Sequence, residues 1–319
     1  MLIANLEPPW SVGLTGGEHQ LVVYVLVVAV LAFTAGIIRS WVTRNEVGSR
    51  YRTAVTARIG MLAVALLTYL LLTATFFAAY DPVGAGWMPN GSAIDVFAAR
   101  YMGWTVSVPL LTMELLAVCG IAGSVSRRSR AIALVSSGAM IFCGFLGAIV
   151  IDDGTGILPF VLWALAGVAF GAVAVAVLLR AVRESRAVLT PEAQTLLARA
   201  TLVLLTGWVV YPIVYFLPLF GASGVLTTVI MIVLTATDVT VKLGFANRIH
   251  RVAKLRTAED VRAGVDVHPE SIWISSVKQS DAGLPREINL ATGAAIHERR
   301  PRPPISTATA SAEPDSTDF

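Results

Sequence analysis

Charged side chains are scarce in this sequence: they make up 14% of 319 residues, whereas a soluble domain carries about 25%. Hydrophobic residues make up 55%, and they are gathered into long runs. The shortage of charge excludes an ordinary soluble domain and indicates a protein that crosses a membrane several times. The net charge of +3 comes from basic connecting segments, so we predict no nucleic-acid partner.

Cysteine and histidine are also rare, with two Cys and four His in the whole chain. Cys119 and Cys143 fall inside or at the edge of apolar runs, which favours buried thiols over a disulfide. The histidines are scattered along the sequence. We therefore predict neither a metal site nor a catalytic site, and the protein is not expected to be an enzyme.

Seven apolar runs are each long enough to cross a bilayer core of about 30 Å. They cover residues 21–42, 54–79, 96–118, 131–151, 158–179, 196–219 and 225–247. We predict an all-α protein of the plasma membrane, with a bundle of seven transmembrane helices over residues 21–250 in contact with membrane lipid. Residues 1–20 lack the basic start and the cleavage site of a signal peptide, so they are predicted to form a short extracellular leader.

Basic residues are concentrated in alternate connections between these runs. The basic connections carry Arg39, Arg44, Arg50, Arg52, Arg127, Arg128, Arg130, Arg180, Arg183, Arg186, Arg248, Arg251, Lys254 and Arg256, whereas the other connections carry Asp81, Asp95, Asp152 and Asp153. The positive-inside rule then predicts an extracellular N-terminus and a cytoplasmic C-terminus.

The sequence becomes polar after about Thr257. Residues 251–319 are predicted to form a cytoplasmic tail that is largely disordered, because this composition cannot bury enough apolar surface to become ordered. Residues 271–274, which include Trp273, form a short apolar patch, and residues 299–304 are basic and rich in proline. The patch is expected either to pack on the membrane domain or to contact a partner.

The seventh run contains one acid and one amine, Asp238 and Lys242, four residues apart. This spacing returns to the same face of a helix, so both side chains enter one space. A charge at bilayer depth costs on the order of a few kcal/mol, so such residues usually mark a site. A lysine in a dry pocket can condense with a carbonyl to form a Schiff base. The alternative is a structural ion pair, in which the two charges stabilise each other and have no further role.

Two more motifs accompany this pair: residues 100–114 read RYMGWTVSVPLLTME, and residues 208–215 read WVVYPIVY. Together with Asp238-x-x-x-Lys242, they resemble the microbial rhodopsins, the retinal-binding family of bacteriorhodopsin, over about residues 18–250. The resemblance implies all-trans retinal bound covalently to Lys242, with Asp238 as its counterion. It also implies a homo-oligomer, either a trimer or a pentamer.

The resemblance assigns further positions. The residues implied to wall the chromophore are Trp104, Val108, Leu111, Met140, Gly144, Trp163, Phe170, Trp208, Tyr211, Pro212 and Tyr215. Those implied to form a proton or ion pathway are Arg58, Tyr69, Arg100, Gly103, Ser107 and Glu114. Flat aromatic walls and small residues are physically suited to a rigid polyene.

The third helix departs from the outward proton pumps of this family. Those pumps place an acid at Gly103, a threonine at Ser107 and an acid at Glu114. Since Gly103 cannot accept a proton, Asp238 is expected to be the only carboxylate near the Schiff base, unless an anion or water fills the space. Phe220 and Ile230 stand where bacteriorhodopsin has its proton-releasing acids, which disfavours outward pumping.

Arg58 on the second helix is a further departure. Aligning Tyr69 with its family counterpart places Arg58 in the cytoplasmic half, opposite Glu114. One interpretation is an arginine that extends to the lipid headgroups. The other is a buried ion pair that keeps Glu114 charged and slows the return of a proton to the Schiff base. Together with Ser107 and Glu114, this arginine resembles the cryorhodopsin group, whose slow photochromic behaviour favours sensing.

Three functions follow from these features. The favoured one is a photosensor or photoswitch with a slow photocycle, weak or no pumping, and a cytoplasmic signalling partner. The alternative is a light-driven ion transporter, either an inward chloride pump or a residual proton pump. In the chloride case, Gly103 and Ser107 would leave a small polar hollow for the anion. A seven-helix protein without a chromophore is disfavoured by Lys242.

Overall fold

A computed structural model describes residues 6–119, 123–263, 288–290 and 294–296. It contains seven helices that are long and apolar enough to cross a membrane, which confirms the predicted seven-helix bundle. The helices are α1 (Gly16–Val42), α2 (Arg52–Ala79), α3 (Ala93–Val118), α4 (Gly123–Phe145), α5 (Ile157–Ser185), α6 (Pro191–Phe216) and α7 (Gly224–Arg262). The helix α3 is the most buried of the seven.

Local sequence explains where several helices begin. Thr15 caps α1 through a capping box: its hydroxyl accepts from the Glu18 amide, while the Glu18 carboxylate accepts from the Thr15 amide. Thr190 caps α6 and is followed by Pro191, whose missing amide hydrogen costs nothing at the first helical position. Ser223 caps α7 in the same way as Thr190 caps α6. These caps satisfy amides that the helices themselves leave unpaired.

One end of the bundle carries a small sheet, and we call it the hairpin end. Strands β2 (Tyr80–Val83) and β3 (Gly86–Pro89) form an antiparallel hairpin, and β1 (Leu14–Thr15) adds to β3 in the order β1-β3-β2. Gly84 has a φ of 59° in the turn, a conformation that glycine adopts without steric cost. The sequence analysis did not predict this sheet, because a search for long apolar runs does not detect strands of two to four residues.

The N-terminal segment packs against the hairpin end. The Leu6 amide donates to the Thr155 carbonyl at 2.8 Å, and the Thr227 hydroxyl donates to the Pro9 carbonyl at 2.7 Å. The described part of the predicted leader is therefore folded onto the bundle, and α1 begins inside it, at Gly16.

At the opposite end, which we call the arginine-rich end, α7 runs past the predicted boundary at residue 250 and continues to Arg262. Hydrogen bonds join this extension to the connections between helices: Gly48 N to Thr257 Oγ1 at 2.9 Å, Tyr51 Oη to Asp260 Oδ2 at 2.8 Å, and Thr190 Oγ1 to Glu259 Oε1 at 2.6 Å. The extension is thus fastened to the α1–α2 and α5–α6 connections.

Part of the predicted tail is also described. Strands β4 (Ile288–Leu290) and β5 (Ala294–Ile296) pair in antiparallel register, with Ile288 opposite Ile296, and both strands contact α7. The apolar patch at residues 271–274 and the basic segment at residues 299–304 lie outside the described residues.

Candidate functional site

The amine and the acid of the seventh helix lie together in the middle of the bundle. Lys242 Nζ is 3.2 Å from Asp238 Oδ1, and both side chains are almost fully buried. The pair is formed by residues one helical turn apart on α7, as their spacing predicts. Phe33 of α1 covers the amine, with its ring centre 5.9 Å from Nζ.

Three uncharged donors from other helices also bind the Asp238 carboxylate. Tyr211 Oη donates to Oδ1 at 2.7 Å, Trp104 Nε1 donates to Oδ2 at 3.0 Å, and Tyr69 Oη donates to Oδ2 at 3.1 Å. We call these side chains, with Asp238 and Lys242, the Asp238 cluster. Helices α2, α3, α6 and α7 each contribute to it, so its geometry is fixed by the packing of the whole bundle.

Arg100 lies beside the Asp238 cluster and is only 1% exposed. Its guanidinium donates to Thr235 Oγ1 at 3.0 Å and to Tyr69 Oη at 3.4 Å, and it contacts Met231 Sδ at 3.5 Å. The sequence analysis missed Thr235 and Met231, although both precede Asp238 on α7 by about one and two turns. Both residues could have been predicted from their helical spacing to Asp238, because that spacing places them on the same face of α7.

Next to Arg100 is a small cavity of about 60 Å³ toward the hairpin end. Its described lining contains no carboxylate; Trp10 of the N-terminal segment and Ile230 of α7 are among the residues that form it. Phe220, the other position predicted to lack an acid, is 85% exposed at the surface. The described lining of this cavity therefore provides no acidic group to accept a proton from the cluster.

A larger cavity of about 430 Å³ lies between α3, α4, α5 and α6, within the range of about 300–1,000 Å³ that is usual for ligand sites. Among the residues predicted to wall the chromophore, its lining includes Trp104, Val108, Met140, Gly144, Trp208, Tyr211, Pro212 and Tyr215. Trp104 and Tyr211 also bind Asp238, so the cavity and the Asp238 cluster adjoin each other.

Three predicted wall residues do not line this cavity. Leu111 is buried elsewhere on α3, and Trp163 lies beside Gly147. Phe170 is 41% exposed, and the residues of α5 that line the cavity include Gly167 and Gly171, the latter next to Phe170 in sequence. The role of Phe170 as a wall residue therefore stays a prediction.

These features fit the retinal that the resemblance implies. A Cβ on Gly167 would lie 3.1 Å from the Met140 carbonyl oxygen, and one on Gly171 would lie 2.9 Å from Met140 Sδ, so these two glycines let α5 pack closely against α4 beside the cavity. Within the described part of the chain, the buried Ser107 Oγ and Trp208 Nε1 have no hydrogen-bond partner. Buried polar atoms are rarely left unpaired, so these two atoms are available to bind water or a polar group of a ligand.

The space directly beside the Gly103 Cα is occupied by Thr68. Helix α2 approaches α3 so closely that a Cβ built on Gly103 would fall nearest to Thr68 Oγ1, 2.6 Å from Thr68 Cγ2 and 2.9 Å from Thr68 Cβ. On this side of α3, Thr68 therefore takes the volume that a side chain at residue 103 would need. Thr68 was not predicted, because the distance between two helices cannot be inferred from the sequence of either helix alone.

Glu114 and Arg58 are both buried on the arginine-rich side of the cluster. Arg58 Nη2 donates to the Ser40 carbonyl at 3.2 Å and to Thr43 Oγ1 at 3.3 Å. Among the described residues no ion pair joins Arg58 to Glu114, and Glu114 Oε2 has no hydrogen-bond partner. The predicted direct pair is therefore wrong, although the two groups are close enough for their charges to attract. Arg58 instead binds the end of α1, where the Ser40 carbonyl and the hydroxyl of Thr43, the C-cap residue, accept its hydrogen bonds.

Comparison with known proteins places this arrangement in a family. A model of the family described as "Bacteriorhodopsin-like protein" matches residues 20–254. Sensory rhodopsin-2 of Natronomonas pharaonis is 25% identical over 249 residues, which cover 77% of this chain and 93% of the relative. The Bacteriorhodopsin-II-like protein of Haloquadratum walsbyi is 28% identical over 216 residues, which cover 64% of this chain and 82% of the relative.

Solved structures give the same picture. Xanthorhodopsin, described as a light-driven ion pump with a dual chromophore, superposes with a TM-score of 0.69 at 26% identity. A thermophilic rhodopsin superposes with a TM-score of 0.70 at 25% identity. Each match covers 78% of this chain and 98% of the other. The similar proteins include both a sensory rhodopsin and a protein described as a light-driven ion pump.

Proposed function

This chain belongs to the bacteriorhodopsin-like protein family and is a multi-pass protein of the plasma membrane, and from that premise we propose that it is a retinal-binding photosensor with a slow photocycle and weak or no ion pumping. The observation that carries the proposal is the isolation of the Asp238 cluster. Among the described residues, Asp238 is the only carboxylate that contacts Lys242, and no hydrogen bond links the cluster to a carboxylate at either end.

In this proposal Lys242 holds the cofactor in the large cavity. Bound retinal would supply light absorption and a light-driven change of shape. The chain supplies the environment: Asp238 balances a positive charge on Lys242 Nζ, while Trp104 and Tyr211 hold the carboxylate in place. The apolar lining of the cavity keeps water away from the amine and strengthens this charge interaction.

Weak pumping follows from what flanks the cluster. A vectorial pump needs groups that accept a proton on one side and return it from the other. Arg100 and the small cavity beside it offer no acid toward the hairpin end. Toward the arginine-rich end, Glu114 is a buried acid, but no hydrogen bond among the described residues connects it to Lys242. We therefore expect a proton to return to Nζ slowly.

Arg58 adds to this delay without a direct pair. Burial disfavours the charged form of Glu114, and the positive charge of Arg58 partly offsets this, so Glu114 is a weaker proton donor than it would be without Arg58. We infer that the attraction between Arg58 and Glu114 slows the return of a proton to Lys242 Nζ and therefore the recovery of the dark state. This role supports our assignment to the cryorhodopsin group, which rests on Arg58, Ser107 and Glu114 together.

We further propose that α7 carries the signal. Lys242 lies in the middle of this helix, and its extension is bonded to the connections at the arginine-rich end through Thr257, Glu259 and Asp260. A shift of α7 would therefore move those connections. With the positive-inside rule, this end is cytoplasmic and the hairpin end is extracellular, so a signalling partner would read the arginine-rich end.

Illumination of whole cells tests the proposal. Cells that make the protein with retinal are placed in unbuffered salt, and external pH is recorded beside flash-induced absorption changes. We expect a coloured protein, slow recovery of the dark state and no sustained pH change. Lys242→Ala is the colourless control. A sustained acidification that a protonophore abolishes would instead support the second candidate, a residual proton pump, for which the buried Glu114 is the favouring observation.

A further inference from the structure

Near the Asp238 cluster, α2 and α3 come close together where Gly103 faces Thr68. A Cβ on Gly103 would lie 2.9 Å from Thr68 Cβ, nearer than real Cβ atoms approach another heavy atom. Alanine therefore does not fit at this position unless a helix moves. Gly60, on the same pair of helices, is different, because a Cβ there would lie 3.6 Å from Leu110 Cδ1, which is ordinary contact.

The two residues of this contact each precede a ligand of Asp238. Thr68 is followed by Tyr69, and Gly103 is followed by Trp104. Tyr69 and Trp104 donate to the same oxygen, Asp238 Oδ2, at 3.1 Å and 3.0 Å. Two side chains from different helices can reach one oxygen only if their backbones come close together. The Gly103–Thr68 contact is the place where they do.

Thr68 also limits what else can occupy this place. Its hydroxyl donates to the Val64 carbonyl at 2.8 Å, so its hydrogen is already used within its own helix. The side chain therefore fills the space beside Gly103 without offering a donor to an anion. A carboxylate at residue 103 would need the same volume.

We propose that the Gly103–Thr68 contact is a positioning element that sets Tyr69 and Trp104 on Asp238 and restricts Lys242 to one countercharge. Thr68 is then a specificity-determining residue: it excludes a second carboxylate or a halide from the space beside residue 103. This inference rests on the proposed function, because it concerns the charge balance at Lys242.

A double-mutant cycle in the full chain tests the contact. The variants are Gly103→Ala, Thr68→Gly and both together, with Gly60→Ala as the matched control. We expect Gly103→Ala to lower the unfolding temperature by several degrees and to shift the pH midpoint of the visible absorption band. Thr68→Gly should carry its own cost as a helical glycine. In the Thr68→Gly background, however, Gly103→Ala should cause little additional change in either readout. Gly60→Ala should leave both readouts unchanged.

Two results would overturn the inference: Gly103→Ala behaves like Gly60→Ala, or its effects are as large in the Thr68→Gly background as in the wild type. If Gly103→Ala yields no folded protein, recovery of folded protein in the double variant replaces the unfolding temperature as the readout. Unfolding measured without retinal separates this inference from the proposed function. Colourless protein with intact coupling between the two sites contradicts the photosensor, whereas coloured protein without coupling contradicts only the contact.

Discussion

The Asp238 cluster and the region around Glu114 are two buried acidic sites in one bundle, but they are built differently. Asp238 accepts hydrogen bonds on both oxygens and faces Lys242 at 3.2 Å. Glu114 Oε2 has no hydrogen-bond partner in the described part of the chain, and neither has Arg58 Nε. Arg58 instead bonds to the end of α1.

This difference separates two tasks. A carboxylate that is held by several donors keeps its charge and position, because any change breaks several interactions at once. A buried acid with an unbonded oxygen breaks fewer hydrogen bonds when it gains or releases a proton or changes partner. In our proposal, the Asp238 cluster holds the countercharge in place, while the Glu114 region sets the rate at which a proton returns.

The largest effect is expected from Asp238→Asn. Removing one partner of a buried ion pair costs about 3–5 kcal/mol, because the other charge is left without balance. The variant should unfold at a clearly lower temperature, and the retinal-loaded protein should lose most of its visible band at neutral pH. Thermal unfolding and absorption spectra measure both effects. Asp95→Asn, at an exposed site in the first turn of α3, is the control. A variant that keeps the wild-type spectrum would mean that another group balances Lys242.

The next largest effect concerns the rate set by the Glu114 region. Arg58→Gln removes the charge that attracts Glu114, so recovery of the dark state after a flash should become at least severalfold faster. Arg58→Lys keeps the charge and should remain near the wild-type rate. Flash spectroscopy at one pH compares the three proteins. Equal recovery rates in all three proteins would show that Arg58 does not control the recovery of the dark state.

A smaller effect should separate two tyrosines of the large cavity. Tyr211 Oη donates to charged Asp238, whereas Tyr215 Oη donates to the Phe160 carbonyl at 3.2 Å. A hydrogen bond to a charged group contributes about 1.5–3 kcal/mol, and a neutral one about 0.5–1.5 kcal/mol. Tyr211→Phe should therefore shift the pH midpoint of the visible band more than Tyr215→Phe does. Equal shifts of the pH midpoint would show that the hydrogen bond from Tyr211 to Asp238 has no special effect on the visible band.

The smallest effect is expected outside the membrane, where Glu46 binds the α7 extension. Lys254 Nζ donates to Glu46 Oε2 at 2.8 Å, and His250 Nε2 lies 3.1 Å from the same oxygen. Burial alone would raise the pKa of Glu46, but the hydrogen bonds from His250 and Lys254 outweigh it and lower the pKa from 4.5 to about 2.

The sign of the pH effect follows from this lowered pKa. The charged form stabilises the fold above pH 4.5, and that contribution is lost as the pH falls toward 2. Glu46→Gln should lower the unfolding temperature by a few degrees at neutral pH, and the difference from wild type should shrink in acid. Unfolding curves at several pH values measure this difference. If it stays constant down to about pH 2, the acid dependence comes from other groups.

Much of the bundle and of the Asp238 cluster could be predicted from local patterns. Apolar runs predict membrane helices because length and hydropathy are properties of one segment. The Asp238–Lys242 pair follows from spacing on one helix, and the resemblance pointed to Trp104 and Tyr211. The family was also identified from these motifs, and comparison with known proteins confirms it.

The features that were missed depend on segments far apart in sequence. The α7 extension is polar, and it is held by partners such as Gly48, which lies 209 residues before Thr257. The Gly103–Thr68 contact depends on the distance between helices, and the direct Arg58–Glu114 pair failed because Arg58 finds partners on α1. Each of these features depends on the distance between two segments, which the sequence of one segment does not determine.

The central claim is that Asp238 alone balances the charge on Lys242, and an absorption titration of the retinal-loaded wild type tests it most directly. The visible band is followed from acid to alkali in chloride and again in sulfate. We predict one transition, in which the visible band is lost as the pH rises and a near-ultraviolet band replaces it, with the same midpoint in both salts. A midpoint or colour that depends on chloride would contradict the claim, because it would place a second negative charge beside the amine.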